Sequence, residues 1–229
     1  MFDQVERHIP QSHATLPECN NETVAGVVDK GFSVVKAKGS RDFEELAGRI
    51  DESARRWPHL RWRIDFNEAL SKDETLAFCR GMTDYLRKRI DFLEDPCPWD
   101  EEDWDEIRTT TGLELAFDRT TVQQIPDGDV LVIKPARVEV GKLPMGSGRW
   151  VITSNMDHPL GQCYAAWWAG RLSSGGQALD TCGLQTHELF EPNEFCERLG
   201  QAGPRFISPG GTGLGFDDLL EKLPWKLLI

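Results

Sequence analysis

Several side chains that can carry charge or a proton come directly after short apolar runs of the chain. Three of these side chains are carboxylates, and each ends a run of β-strand type. In order, the six side chains are Lys38, Asp65, Glu94, Asp118, Lys134 and Ser154. In a barrel of parallel strands, the C-terminal ends of the strands meet at one rim, and that rim carries the active site. The spacing therefore predicts that these side chains converge.

Three converging carboxylates need a cation. At ~4 Å and an effective dielectric near 20, each like-charge pair costs roughly 4 kcal/mol. Asp65, Glu94 and Asp118 form an all-oxygen donor set, which suits Mg²⁺, with Mn²⁺ as an alternative. We expect a divalent metal site that leaves positions open for a ligand.

The lysines beside these acids suggest proton transfer. Lys36 and Lys38 alternate along one strand, so both point to the same side. A lysine that faces a cationic centre loses its proton more easily, which suits a general base near neutral pH. Taken alone, each lysine or acid is more simply a solvated surface residue. It is their joint order along the chain that favours a site.

Strands and helices alternate through most of the chain, which predicts parallel strands joined by right-handed crossovers. Clear helical signals are the apolar stripe of residues 43–54 and the capping box of Ser71 and Glu74. The predicted strands are residues 32–39, 61–65, 90–94, 115–118, 129–135 and 150–154, with weaker ones at 12–17 and 178–184. Eight strands fit a closed α/β barrel. The connections between residues 118 and 154 are short, so one or two helices there should be stunted.

Composition limits the class of protein. The 229 residues suit one large domain, with 39% hydrophobic and 28% charged residues. The net charge of −12 argues against a nucleic-acid partner. No apolar run is long enough for a membrane span, and the acidic N-terminus is unlike a secretory signal. Six scattered cysteines indicate reduced, buried thiols and a cytoplasmic location.

Five short motifs in order resemble those of the enolase superfamily. They are Val35-Lys36-Ala37-Lys38, Arg63-Ile64-Asp65-Phe66-Asn67, Phe92-Leu93-Glu94-Asp95-Pro96-Cys97, Ala116-Phe117-Asp118 and Val132-Ile133-Lys134-Pro135. Within that superfamily the chain is similar to the muconate-lactonizing subgroup, and above all to the o-succinylbenzoate synthase family. Arg63 and the segment 178–184 also match that family. The resemblance covers roughly residues 14–184.

The resemblance implies a TIM-like (β/α)7β barrel that binds Mg²⁺ through Asp65, Glu94 and Asp118. Lys38 would be the general base that acts alpha to a carboxylate, and Lys134 would stabilise the resulting enediolate. The implied supporting residues are Lys36, Arg63 and Asn67, and the implied substrate-binding residues are Ser154, Asn155 and Met156. The implied reaction is a dehydration, in which 2-succinyl-6-hydroxy-2,4-cyclohexadiene-1-carboxylate becomes 2-succinylbenzoate for menaquinone biosynthesis.

Other activities of the subgroup stay open: N-succinylamino acid racemase, dipeptide epimerase or cycloisomerase, in which Lys38 and Lys134 act as bases on opposite faces. The chain also departs from the family pattern. Arg119 stands where a glutamate is common, and residues 153–159 lack a serine-rich segment.

The family carries an N-terminal α+β capping domain, and we expect it to be absent here. The expected organisation is one barrel domain: residues 1–13 as a lead-in, 14–184 as the barrel core and 185–229 as a tail packed on the barrel. The expected partners are a small carboxylate substrate and either a separate capping domain or a second copy of the chain. A barrel with little activity alone is the remaining alternative.

Overall fold

A seven-stranded parallel sheet forms the centre of the computed structural model, which describes residues 2–121, 125–126, 129–144 and 148–226. The strands pair in sequence order from β1 to β7. They are β1 Ala14–Leu16, β2 Val34–Lys38, β3 Arg61–Asp65, β4 Ile90–Glu94, β5 Leu115–Phe117, β6 Val130–Ile133 and β7 Trp150–Ile152. Sequential parallel order curls the sheet, as expected for an α/β barrel.

Helices fill most of the crossovers. They are α1 Asn21–Asp29, α2 Phe43–Arg56, α3 Lys72–Gly81, α4 Asp84–Arg87, α5 Glu101–Thr111, α6 Pro159–Ser174, α7 Glu194–Leu199 and α8 Asp217–Glu221. The predicted capping box is confirmed: the Glu74 amide donates to Ser71 Oγ at 3.2 Å, and the Ser71 amide donates to Glu74 Oε2 at 2.7 Å. Among the described residues between β5 and β7, the connections contain only a 3₁₀ turn, Val140–Lys142. The prediction of stunted helices there is therefore confirmed.

The segment 178–184 joins the two edges of the sheet, although it is not the regular strand that the sequence suggested. It forms isolated parallel bridges from Leu179 to Trp150, from Gly183 to Thr153 and from Cys182 to Ser12. The His13 amide donates to the Cys182 carbonyl at 2.7 Å, next to the start of β1. This irregular segment takes the place of an eighth strand and closes the cylinder.

Alternate side chains of the strands divide the core into two layers. Outward-facing residues such as Trp62 and Leu93 pack beneath the helices. A smaller apolar cluster comprises Phe92, Ala116, Val130, Val132 and Val151, and it fills the barrel interior because these positions alternate with the outward ones. The strands are buried on both faces, as parallel sheets require.

The six cysteines, Cys19, Cys79, Cys97, Cys163, Cys182 and Cys196, are all free and buried, as predicted. Within the described ranges, none of the helices combines the length and the apolar character that crossing a bilayer would take.

Candidate active site

The register of the sheet brings the predicted site residues to one edge. Lys38 pairs with Asp65 across β2 and β3, and Asp65 pairs with Glu94 across β3 and β4. Glu94 pairs with Ala116, so Asp118, two residues further on, follows on the same face just beyond β5. Lys134 follows the end of β6. Parallel pairing in sequence order therefore places the lysines and carboxylates on one rim.

Ammonium groups contact each of the three carboxylates. Lys36 Nζ lies 2.6 Å from Glu94 Oε1 and 3.1 Å from Asp65 Oδ2. Lys38 Nζ lies further off, at 3.7 Å from Asp65 Oδ2. Lys134 forms an ion pair with Asp118. The rim is thus a charge cluster in which cations offset the mutual repulsion of the acids.

The two β2 lysines differ in surroundings. Burial opposes the charge on Lys36, but Glu94 and Asp65 outweigh it and hold the Lys36 pKa well above its ordinary value. The Lys38 side chain is 56% exposed, against 14% for Lys36. Lys36 is therefore held as a cation, whereas Lys38 is free to face a ligand.

The carboxylates differ as well. Burial raises the pKa of Glu94 to about 7; Asp65 and Asp118 add to the rise, and Lys36 opposes it. For Asp65, burial works in the same direction, but the charges of Lys36 and Lys38 hold its pKa below the ordinary value. The backbone amide of Asn67 also donates to Asp65 Oδ1 at 3.0 Å.

The donor chemistry of the rim suits Mg²⁺. The set is all oxygen, and the buried Asp118 Oδ1 has no hydrogen-bond partner among the described residues, which is the kind of orphaned acceptor that a cation would satisfy. Across the described ranges, however, no three His, Cys, Asp or Glu side chains are arranged to hold one metal ion. In this structure the lysine ammonium groups occupy the space beside the acids. The residues therefore fit the metal by type, and binding it would require Lys36 and Lys134 to move away from the carboxylates.

A cavity of about 520 Å³ opens at this rim. Its lining includes the predicted residues Lys36, Lys38, Asp65, Asn67, Lys134, Ser154, Asn155 and Met156. The Glu94 side chain is buried against Lys36, and the Asp118 side chain, 7% exposed, lies against Lys134. Both lysines line the cavity. One cavity therefore joins the lysines, the first acid and the predicted substrate segment.

Arg63 lies elsewhere. Its side chain is 1% exposed, and its guanidinium donates to Asp91 Oδ2 at 2.7 Å and to the Thr181 carbonyl at 2.7 Å. It also contacts His13 Nδ1 at 2.9 Å and lies over the Phe92 ring. The structure places Arg63 in the barrel interior beneath the rim, where it links β3 to the closing segment.

Several residues at the site were not predicted. Arg137 and Thr15 line the cavity, and Arg137 is exposed there. Its position three residues after Lys134 was the available signal. Glu68, Asp95 and Arg119 contact one another, and none of them lines the cavity. From the sequence, Asp95 was part of a motif and Arg119 a departure from the family pattern, and neither had a role.

The fold and the site together define a class of protein: α/β barrels that carry carboxylates and lysines on the C-terminal rim. Comparisons with known proteins find relatives of this class. Residues 20–125 match the family model described as enolase C-terminal domain-like. The chain is 33% identical over 212 residues to an o-succinylbenzoate synthase of Bdellovibrio bacteriovorus, covering 89% of this chain and 64% of that protein.

Solved structures share the fold. One is an o-succinylbenzoate synthase from Thermosynechococcus elongatus BP-1 with Mg in its active site (TM-score 0.59, 15% identity, 76% of this chain and 60% of that one). Another is a dipeptide epimerase from Enterococcus faecalis V583 (TM-score 0.63, 17% identity, 81% and 58%). The chain thus spans less than two thirds of each of these proteins. It resembles the enolase superfamily and, within it, the o-succinylbenzoate synthases.

Proposed function

We propose that this chain is the barrel of a Mg²⁺-dependent carbon–oxygen lyase of the o-succinylbenzoate synthase type. The observation that carries the proposal is the order Lys38, Asp65, Glu94, Asp118 and Lys134 along one rim that opens into one cavity. The sequence similarity to a synthase supports this reaction over others of the superfamily. We further propose a cytoplasmic location and the barrel boundaries inferred from the sequence.

Asp65, Glu94 and Asp118 would hold Mg²⁺, which when bound would supply positive charge next to the substrate carboxylate. Lys38, half exposed on the cavity wall, would remove the proton alpha to that carboxylate. Lys134 would stabilise the negative charge that develops on the substrate. Lys38 would then return the proton to the departing hydroxide. Water leaves, and the ring becomes aromatic.

Arg137 gives the cavity a second point of recognition for an anion. The proposed substrate carries two carboxylates, one on the ring and one at the end of the succinyl group. The guanidinium of Arg137 is exposed at the cavity, and guanidinium groups bind carboxylates through paired hydrogen bonds. We assign Arg137 to the succinyl carboxylate.

The test combines binding with turnover. Bound Mg²⁺ should raise the thermal midpoint of the 229-residue chain, because a ligand that binds only the folded state stabilises it, by about 2.7 kcal/mol at 100 times its Kd. EDTA should reverse the shift, and Asp118→Asn should abolish it. The purified chain should also dehydrate the cyclohexadiene substrate only with Mg²⁺.

A racemase or epimerase is the second candidate, since Lys38 and Lys134 both line the cavity and a dipeptide epimerase shares the fold. Racemisation of N-succinyl amino acids without dehydration would replace the lyase assignment. Mg²⁺ binding without either activity would favour a barrel that needs a further domain, from a separate chain or a second copy.

A further inference from the structure

Three loops leave the rim just after the three carboxylates, and one arginine bridges them. Glu68 follows β3, Asp95 follows β4 and Arg119 follows β5. Arg119 Nε lies 2.7 Å from Glu68 Oε1 and 3.7 Å from Asp95 Oδ2. We call these three residues the loop bridge.

Asp95 connects the bridge to the rim itself. The backbone amide of Asp118 donates to Asp95 Oδ1 at 3.0 Å. The Glu68 amide donates to the Asp95 carbonyl at 2.7 Å, and the Asp95 amide donates to the Ala116 carbonyl at 2.9 Å. Since Asp95 is 2% exposed, these bonds are shielded from water. The loop bridge therefore acts on the backbone that carries Asp118.

The backbone of these loops is held in an unfavourable conformation. Asn67, Glu68 and Asp95 have φ of 48°, 60° and 39°, in the left-handed region. Non-glycine residues there cost about 1–3 kcal/mol each and persist only when their surroundings hold them. Two of the three belong to the loop bridge, and the third lies next to Glu68. The contacts of Arg119 supply part of that restraint.

We propose that the loop bridge is a positioning device for the metal ligands, in which Arg119 ties together the loops that carry Asp65, Glu94 and Asp118. The inference rests on the proposed metal-dependent function. Arg119 touches none of the three carboxylates in any ion pair of the described chain, so it acts through Glu68 and Asp95. Loss of such supporting contacts typically weakens metal affinity by about 10–100-fold.

The experiment is a Mn²⁺ titration followed by electron paramagnetic resonance, in which free Mn²⁺ gives the signal. Wild type, Arg119→Met, Arg119→Lys, Glu68→Gln and the Glu68→Gln/Arg119→Met double variant are compared. Arg198→Met is the matched control, because Arg198 forms a similarly exposed ion pair with Asp218 at 2.7 Å, away from the rim. Thermal unfolding without metal is measured for each protein.

Arg119→Met should weaken Mn²⁺ binding about 10-fold, Arg119→Lys should recover part of the loss, and the double variant should lose less than the sum of the singles. The metal-free midpoints should stay close to that of Arg198→Met. Mn²⁺ binding by Arg119→Met within twofold of wild type would refute the positioning role. The role would also be refuted if Arg119→Met and Glu68→Gln lowered the metal-free thermal midpoint in proportion to their loss of Mn²⁺ affinity. Absence of Mn²⁺ binding in the wild type would instead overturn the proposed function itself, and the inference with it.

Discussion

Lys36 and Lys38 lie two positions apart on β2, yet their environments assign them different chemistry. Lys36 lies between Glu94 and Asp65, whose charges favour its protonated form. Within the described part of the chain, the one ion pair of Lys38 is with Asp65, at 3.7 Å, and more than half of its side chain is exposed. A base must exchange protons with its substrate, so the more exposed lysine is the better candidate.

Lys38→Met should therefore lower kcat for dehydration by about 10²–10⁴-fold while leaving Mg²⁺-induced thermal stabilisation in place, since a general base contributes on that order. Steady-state rates and the thermal midpoint with Mg²⁺ measure the two effects. Lys30→Met, which removes a lysine paired with Glu188 far along the chain, is the control and should keep wild-type turnover. A Lys38→Met enzyme within threefold of wild type would remove Lys38 from the mechanism.

At the level of elements, the closing segment 178–184 determines whether the sheet is a cylinder. Its contact with the start of the chain is tight, because a Cβ atom at Gly183 would lie 2.7 Å from the His13 ring and 2.9 Å from Thr153 Cγ2. Glycine at this position lets the segment approach both edges of the sheet. The absence of a side chain is thus a condition for closure.

Gly183→Ala should destabilise the chain by about 1–3 kcal/mol, the usual cost of forcing extra atoms into a packed region. Gly48→Ala is the matched change, since Gly48 lies in α2, is exposed, and would place its Cβ atom in open space. That substitution should stabilise the chain by up to about 1 kcal/mol through helix propensity. Urea unfolding measures both, and a common sign for the two would contradict this account of the closure.

Across the whole molecule, charged side chains form two separate clusters in the barrel, and the two clusters have different roles. The C-terminal rim carries the site, whereas a second network near the strand starts links Arg63, Asp91, Arg149 and Asp180. Asp91 accepts from Arg63 at 2.7 Å and from Arg149 at 3.0 Å. It joins β3, β4 and the approach to β7, so this network holds together strands from opposite sides of the cylinder.

Asp91 should make the fold sensitive to acid. Burial would raise its pKa, but Arg63 and Arg149 outweigh burial and hold it below the ordinary 3.8. The unfolded chain therefore takes up a proton first as pH falls, so stability is present above about pH 4 and is lost as pH drops through the folded-state pKa.

Asp91→Asn should cost about 3 kcal/mol at pH 7, because it leaves the buried Arg63 without its carboxylate. The difference from wild type should shrink below about pH 4, where the unfolded wild-type chain takes up a proton at Asp91 that the folded state resists. Urea unfolding at pH 7 and pH 3 tests both points. Asp218→Asn breaks an exposed pair instead and should change stability far less. A deficit that stays constant with pH would exclude this linkage.

Much of the fold could be predicted from the sequence, because its signals are local. Strand periodicity and a charged or hydroxyl side chain after each apolar run located six strands to within a few residues, and the Ser71 capping box located the start of a helix. Parallel pairing then requires Lys38, Asp65 and Glu94 to share an edge. The gathering of the rim residues thus follows from order along the chain together with one general property of parallel sheets.

Contacts between distant segments depended on the tertiary structure. Whether Lys36 or Lys38 pairs with the acids depends on how deeply each side chain is buried against the neighbouring strands. Alternation along β2 places both lysines on the same side and does not distinguish them. The partners of Arg119 lie on two other loops, and the irregular closing segment lacks the periodicity of a strand. The sequence by itself determined that the three carboxylates and their lysines reach the rim; only the packing of remote segments decided which of them are paired, which face the cavity and how the barrel closes.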